Sequence, residues 1–374
     1  MYRPTLKSIW SLAALALISI VLYYISQNSY SEIRAEGYEQ KIEAGKHMKA
    51  CMEVLREEFD ARGYIIDTTN DPNQTGLIGL SGSSITTSRG ILSDKLTGLN
   101  PNFAAVFVDM FLSARVRPGD YIAVGQTSAN PGLNLALYSA MHTLELNPVV
   151  ITSVGSSMFG ANREDFTWLD MENILRERGL INFSSVAASI GGGSDIGRGL
   201  PLDGRNLIIE NIEHHEIILI HNNDLQGNIR ERMEIYDDLI PNRQRYRLFV
   251  NIGGGLANVG ASVNASLIRD GINYRIADRT FATDGAIMLF ARRNIPIIHI
   301  FRPQVVAERY GLVVDPIPLP EVGTGKVFIS EVNNTTVAAI CLGILLLCLI
   351  VVIIFDRYDR HFTTNIIDPD QELI

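Results

Sequence analysis

Tyr121-Ile122-Ala123-Val124-Gly125-Gln126-Thr127-Ser128-Ala129-Asn130-Pro131-Gly132 is the stretch that decides the fold. Its opening residues are apolar on both faces, as a strand buried within a parallel sheet should be. A small, polar loop follows, and 133–146 then has a helical pattern. Strand, loop and helix in that order are the start of a βαβ unit.

Outward from there the order recurs. Further strands are expected at 77–80, 149–154, 185–190, 217–221, 248–252 and 296–300. Helices are expected at 91–116, 165–178, 203–214, 225–239 and 279–294. This alternation predicts an α/β domain over 63–330, with a mostly parallel sheet and helices on both faces in a Rossmann-like three-layer arrangement. The crossovers should be right-handed. Residues 311–330, with Pro316, Pro318, Pro320, Gly323 and Gly325, read as an extended connection.

Two apolar runs flank the domain, at 9–25 and 337–355. Each is near the ~20 residues that a helix needs to cross a bilayer. In lipid only a helix satisfies its own backbone in so short a piece. Arg3 and Lys7 precede the first run, and Arg357 and Arg360 follow the second. The positive-inside tendency therefore predicts cytoplasmic ends at 1–8 and 356–374 and an extracytoplasmic domain, against a small opposing contribution from Arg34 and Lys41. The residues after the first run, Ser26-Gln27-Asn28-Ser29-Tyr30, show no small-x-small cleavage pattern, which predicts an uncleaved anchor. The expected location is the cytoplasmic membrane, crossed twice.

Residues 26–62 are expected to form a membrane-proximal stalk helix ending at Arg62-Gly63. Gly45, Met48, Met52, Leu55 and Phe59 repeat at 3-4-3-4 spacing and make a narrow seam. Two heptads fall short of a coiled coil, so packing on its own domain is favoured over pairing with a partner helix.

Composition narrows the function. A net charge of −9 argues against nonspecific binding to nucleic acid or anionic lipid. Of three cysteines, Cys341 and Cys348 lie in the second run, too far apart to bridge each other, and Cys51 stands alone. No cysteine motif for a metal or redox group results.

Polar residues gather where the expected strands end. In an open parallel sheet, ligands bind beyond those carboxyl ends. The ends read Gly125-Gln126-Thr127-Ser128-Ala129-Asn130, Gly155-Ser156-Ser157 and Gly191-Gly192-Gly193-Ser194-Asp195. His221-Asn222-Asn223-Asp224, Gly253-Gly254-Gly255 and His299-Ile300-Phe301-Arg302 complete the set. Glycine lets backbone N–H groups approach a ligand, and a following helix start favours an anion. Turning tight strand-to-helix corners is the structural alternative. No loop has the Gly-Lys-Ser/Thr of a phosphate-binding loop or the Gly-x-Gly-x-x-Gly of a dinucleotide fold, so no nucleotide cofactor is expected. The expected binding set is Thr127, Ser128, Asn130, Gly155, Gly191, Gly192, Gly193, Ser194, Gly253, Gly254, Gly255 and Arg302.

A hydrolase reading is open alongside binding. Ser156 or Ser157 could act as nucleophile, His221 as base, and Asp195 or Asp224 as the orienting acid. Oxyanion donors would be amides of the glycine loops. Gly-Ser-Ser-Met-Phe is not the Gly-x-Ser-x-Gly elbow, and serines and aspartates at strand ends are common helix caps. His214, His215 and His221 do not make a metal site: across an extended 215–221, His215 and His221 would stand roughly 20 Å apart at ~3.3 Å per residue. Arg243, Arg245 and Arg247 share one face of extended chain and read as a solvated edge that discourages pairing.

At the level of whole segments the chain resembles the membrane poly-γ-glutamate system protein family, an accessory of bacterial capsule-type polymer biosynthesis. The segments are 125–132, 152–157, Trp168-Leu169-Asp170, 190–195 and Ile252-Gly253-Gly254-Gly255. The resemblance implies partners at the bacterial cell surface: a poly-γ-glutamate ligase, small membrane export subunits and the anionic polymer. It carries over no active site. The leading expectation is an accessory or binding protein of that synthesis and export system. The alternatives are a serine-type amidohydrolase or transpeptidase acting on the γ-linked chain, and a tethered receptor for a small anionic ligand.

Overall fold

The computed structural model describes residues 8–277, 281 and 283–364, with side chains to Arg357. Arg3, Lys7 and the Arg360 side chain lie outside that description. The chain divides into two units, one of Met1–Arg34 with Ile329–Ile374 and one of Ala35–Phe328.

The first unit holds two helices long and apolar enough to cross a membrane, Ile9–Gln27 and Thr335–Arg357. They pack on each other. Beside them Tyr30–Arg34 and Ile329–Asn333 pair antiparallel, Tyr30 opposite Asn333. Both strands were unexpected: the first lies in the region read as helix and the second in the region read as a plain connection. Each strand supplies the other's backbone partners, which neither segment reveals alone.

The second unit is built on a seven-stranded, mostly parallel sheet. Its strands are β1 (Tyr121–Thr127), β2 (Asn147–Ser153), β3 (Ser185–Ser189), β4 (Ile218–Ile220), β5 (Leu248–Ile252), β6 (Gly271–Asn273) and β7 (Ile297–Ile300). Their order across the sheet is β6-β7-β5-β1-β2-β3-β4. All neighbours run parallel except the edge pair β6–β7, where Gly271 lies opposite His299.

Alternate residues of β1 enter two separate cores. Ile122 and Val124 pack with Phe103, Phe107, Leu137 and Tyr138. Ala123 packs with Tyr236, Ile287 and Phe290. Helices therefore cover each face. Helix Pro131–Thr143 starts cleanly because Pro131 occupies its first turn and the Asn130 side chain accepts the Leu133 N–H at 3.1 Å.

Helix Tyr38–Ala61 is a core element and not a stalk. Its seam residues Met48, Met52, Leu55 and Phe59 are buried. It packs on Phe103–Ser113 and Pro131–Thr143. The expected helix 91–116 is two, Leu92–Gly98 and Phe103–Ser113. Pro101 separates them, disfavouring helical backbone at Asn100. The strand expected at 77–80 is absent: its backbone pairing stops at one link, Gly79 donating to the Phe159 carbonyl and Phe159 to that of Leu80, and a side chain holds the end of the segment. Asn162 accepts the Leu80 N–H at 2.7 Å and donates to the Leu80 carbonyl at 2.8 Å. Of the helix expected at 279–294, residues 279, 280 and 282 lie outside the described residues, and the helix found is shorter, Ala286–Arg292, with Gly285 at its N-cap.

Candidate functional site

From the central β1 the chain steps outward through β2, β3 and β4, then returns to β5 on the other side of β1 and continues to β7. The connections after β1 and β5 leave in opposite directions. Such a switch point opens a crevice beyond the strand ends. A cleft of about 570 Å³ lies there.

The glycine loops converge on it. Gly155, Gly192 and Gly193 line one side, and Gly253, Gly254 and Gly255 the other. Gly253 is required twice over: its φ is +88°, and a Cβ there would lie 2.6 Å from Thr127 Oγ1. Several amides expected to face a ligand are already committed. Gly193 donates to the Arg198 carbonyl, Gly253 to that of Ile300 and Gly155 to that of Ile190. Among the described residues, the amides of Gly192, Gly254 and Gly255, which line the cleft, make no backbone hydrogen bond.

Other expected ligands take structural posts. Thr127 and Asn130 line the cleft, but the Asn130 amide group caps a helix and donates to the Asp94 carbonyl. Ser128 is fully buried, its amide held by the Ser153 carbonyl. Gly191 is buried behind the cleft wall, and Ser194 turns the loop with φ +55°. Arg302 lines the cleft, half exposed, with its Nε 2.8 Å from buried Asp270.

The two serines have different fates. Ser156 is fully buried and donates to the Ser128 carbonyl at 3.1 Å. Ser157 lines the cleft, and its Oγ accepts a hydrogen bond from Lys95 Nζ at 3.0 Å. Lys95 also lines the cleft and is 7% exposed. Burial lowers its pKa to about 8, an effect partly offset by the neighbouring Asp94 carboxylate. Burial in turn raises Asp94.

The expected serine–histidine–aspartate set does not assemble. His221 is exposed at the end of β4, the outermost strand, and does not reach the cleft. Asp224 caps helix Leu225–Leu239 by accepting the Gly227 N–H at 2.7 Å. Asp195 is buried in an ion pair with Arg232 at 3.1 Å, and its Oδ1 also accepts from Ser153 and Ser189. Ser153 lines the cleft, so this pair lies under its floor.

Lys95, Arg89 and Asp94 were absent from the expected site. Lys95 carried a signal, because it falls in helical register with Leu92, Leu96 and Leu99, a charge on an apolar face. Arg89 is exposed and lines the cleft mouth. His215 pairs with Asp170 at 3.0 Å, away from His221. Among the described residues no cluster of His, Cys, Asp and Glu could hold a metal ion.

Comparison with protein-family models, with curated proteins and with solved structures gives no match. Function is therefore argued from the chemistry of the cleft.

Proposed function

We propose that this chain is a membrane-anchored accessory protein of a poly-γ-glutamate synthesis and export system, and that its cleft holds a carboxylate-bearing segment of the polymer. One observation carries the reading. Lys95 is a buried ammonium whose hydrogen-bond partner is the neutral Ser157 hydroxyl, in a cleft that Arg89 and Arg302 also line. Among the described residues no carboxylate pairs with it at ion-pair distance, Asp94 acting on it only through space. A buried cation without an anion is costly, and a ligand carboxylate would supply the missing charge. The overall negative charge opposes such a ligand only weakly, since repulsion is screened beyond ~8 Å at physiological salt. Two apolar helices suit a tether, and the basic residues outside both favour a domain on the outer side of the cytoplasmic membrane. The ligase and the small export subunits are the proposed partners.

The test uses the full chain in detergent and purified poly-γ-glutamate, with binding followed by calorimetry at low and high salt. Binding that weakens as salt rises is expected. No binding at low salt would overturn the reading. Protease added to spheroplasts should digest the domain. Full protection beside a digested control protein would reverse the proposed orientation.

A further inference from the structure

We propose that Ser157 and Lys95 form a nucleophile–base pair, and that the cleft performs acyl transfer from an amide or ester carbonyl. The proposal rests on the same cleft as the binding reading and adds a reaction to it.

The comparison among buried cations is what points there. Lys41, fully buried, is held as a structural lysine usually is, by Asp109 at 2.6 Å and the Val327 carbonyl at 2.9 Å. Arg232, also fully buried, has Asp195 at 3.1 Å. Lys95 has one neutral hydroxyl at 3.0 Å. Such an arrangement weakens the fold, and groups held at that cost concentrate where chemistry is done. Its depressed pKa leaves a substantial neutral fraction near physiological pH, and a neutral amine has a lone pair to accept a proton. Lysine is an established partner of nucleophilic serine on unrelated folds.

The surroundings fit. Ser157 sits at the end of the short strand Ser156–Ser157, and Lys95 on helix Leu92–Gly98, so both belong to ordered elements. Gly90 keeps the hydroxyl approachable: a Cβ there would meet the Met158 carbonyl oxygen at 2.1 Å and Ser157 Oγ at 3.2 Å. The amides of Gly192, Gly254 and Gly255, unbonded to backbone among the described residues of the same cleft, are the donors the proposal assigns to the carbonyl oxygen.

The chemistry balances without a further reagent. Neutral Lys95 takes the Ser157 hydroxyl proton as Oγ attacks the carbonyl carbon. The tetrahedral intermediate collapses, the bond to the leaving amine or alcohol breaks, and that group takes the proton from Lys95. An acyl-serine ester remains. Water or an incoming amine then attacks it, giving its proton to Lys95, which returns it to Ser157 Oγ as the ester bond breaks.

The test uses a fluorophosphonate probe on the full chain in detergent, because phosphonylation of serine releases fluoride and leaves a stable adduct. Mass spectrometry should locate that adduct on Ser157, and Ser157→Ala should abolish it. Lys95→Met, once shown to be folded by its thermal transition, should slow labelling by about 10²-fold or more. The wild-type labelling rate should rise with pH with a midpoint near 8, the value at which Lys95 titrates. That profile decides the matter even if the Lys95 variant does not fold. A midpoint at or above the ordinary lysine value of ~10.4, absence of the Ser157 adduct, or labelling indifferent to Lys95→Met would each overturn the dyad. Binding of poly-γ-glutamate by the wild type is read separately. Binding without an adduct would sink the dyad alone, and an adduct without binding would sink the polymer reading alone.

Discussion

Arg232 and Asp195 form an ion pair 3.1 Å apart, with side chains 0% and 1% exposed, beneath the floor of the cleft. Among the described residues Arg232 is engaged through Nη2 alone, which also reaches the hydroxyls of Ser153 and Ser189. Its Nε and Nη1 have no hydrogen-bond partner among those residues. The pair ties the loop after β3 to helix Leu225–Leu239 and sets the position of Ser153 in the cleft wall.

Asp195→Ala should therefore cost about 3–5 kcal/mol, since it strands a buried guanidinium. Adding Arg232→Met should recover much of that loss, because an apolar replacement of both partners is far cheaper than breaking a pair. Urea unfolding of the wild type, the single variant and the double variant makes the comparison. A double variant no more stable than Asp195→Ala would show that the pair is not what holds this loop.

Lys95 ties stability to pH. Its folded-state pKa, about 8, lies below the ordinary value of 10.5. Below about pH 8 both folded and unfolded chains carry the proton, and the burial cost is felt in full. Above that, the unfolded chain binds more protons than the folded one, so native stability rises with pH until the ordinary lysine value is reached. At about 1.4 kcal/mol per unit the full effect is on the order of 3 kcal/mol. Lys95→Met should be the more stable protein near pH 7, and the gap should close toward about pH 10. A gap independent of pH would mean that Lys95 is not buried as a cation.

Cys51 should be chemically silent in the native protein. Burial pushes its thiol up to about 12, and the group lies inside the core between helices. Thiolate is the reactive form, so almost none is present at neutral pH. Iodoacetamide at about pH 8 should leave Cys51 unmodified until denaturant is added, as read by peptide mapping. Rapid alkylation of the native chain would place that helix outside the core.

Arg302 combines a cleft position with a partner. Replacing it by Ala removes one charged hydrogen bond to Asp270, while the amides of residues 301 and 302 continue to donate to the other carboxylate oxygen. The stability cost should be about 1–2 kcal/mol, because the guanidinium is half exposed. Affinity for poly-γ-glutamate should fall about tenfold or more, as expected for loss of a charged contact to a carboxylate. Calorimetry on folded, abundance-matched protein separates the two effects. An unchanged affinity would remove Arg302 from the proposed site.

Strand–helix alternation was legible because a sheet covered on both faces needs strands that are apolar on both faces. That pattern survives in local sequence at 121–125, 149–154, 185–190 and 248–252. The two apolar end runs and the gathering of glycine loops beyond the strand ends were legible for the same reason: each follows from a stretch read by itself. Where a loop's backbone partner is a distant side chain, as Asn162 is for Leu80, the local pattern misled.

Tertiary structure decided the rest. Whether a strand-end residue meets the cleft depends on its strand's place in the sheet. That place is set by packing between segments far apart in sequence. His221 was excluded because β4 lies at the edge, three strands from β1. Ser157 and Lys95, separated by 62 positions, met because the Leu92–Gly98 helix and the loop after β2 pack on the same side of the switch point. The amino acids determined which groups were available. The order of the strands determined which of them share a cleft, because burial of the two sheet faces fixes the helices first and brings the loops along with them.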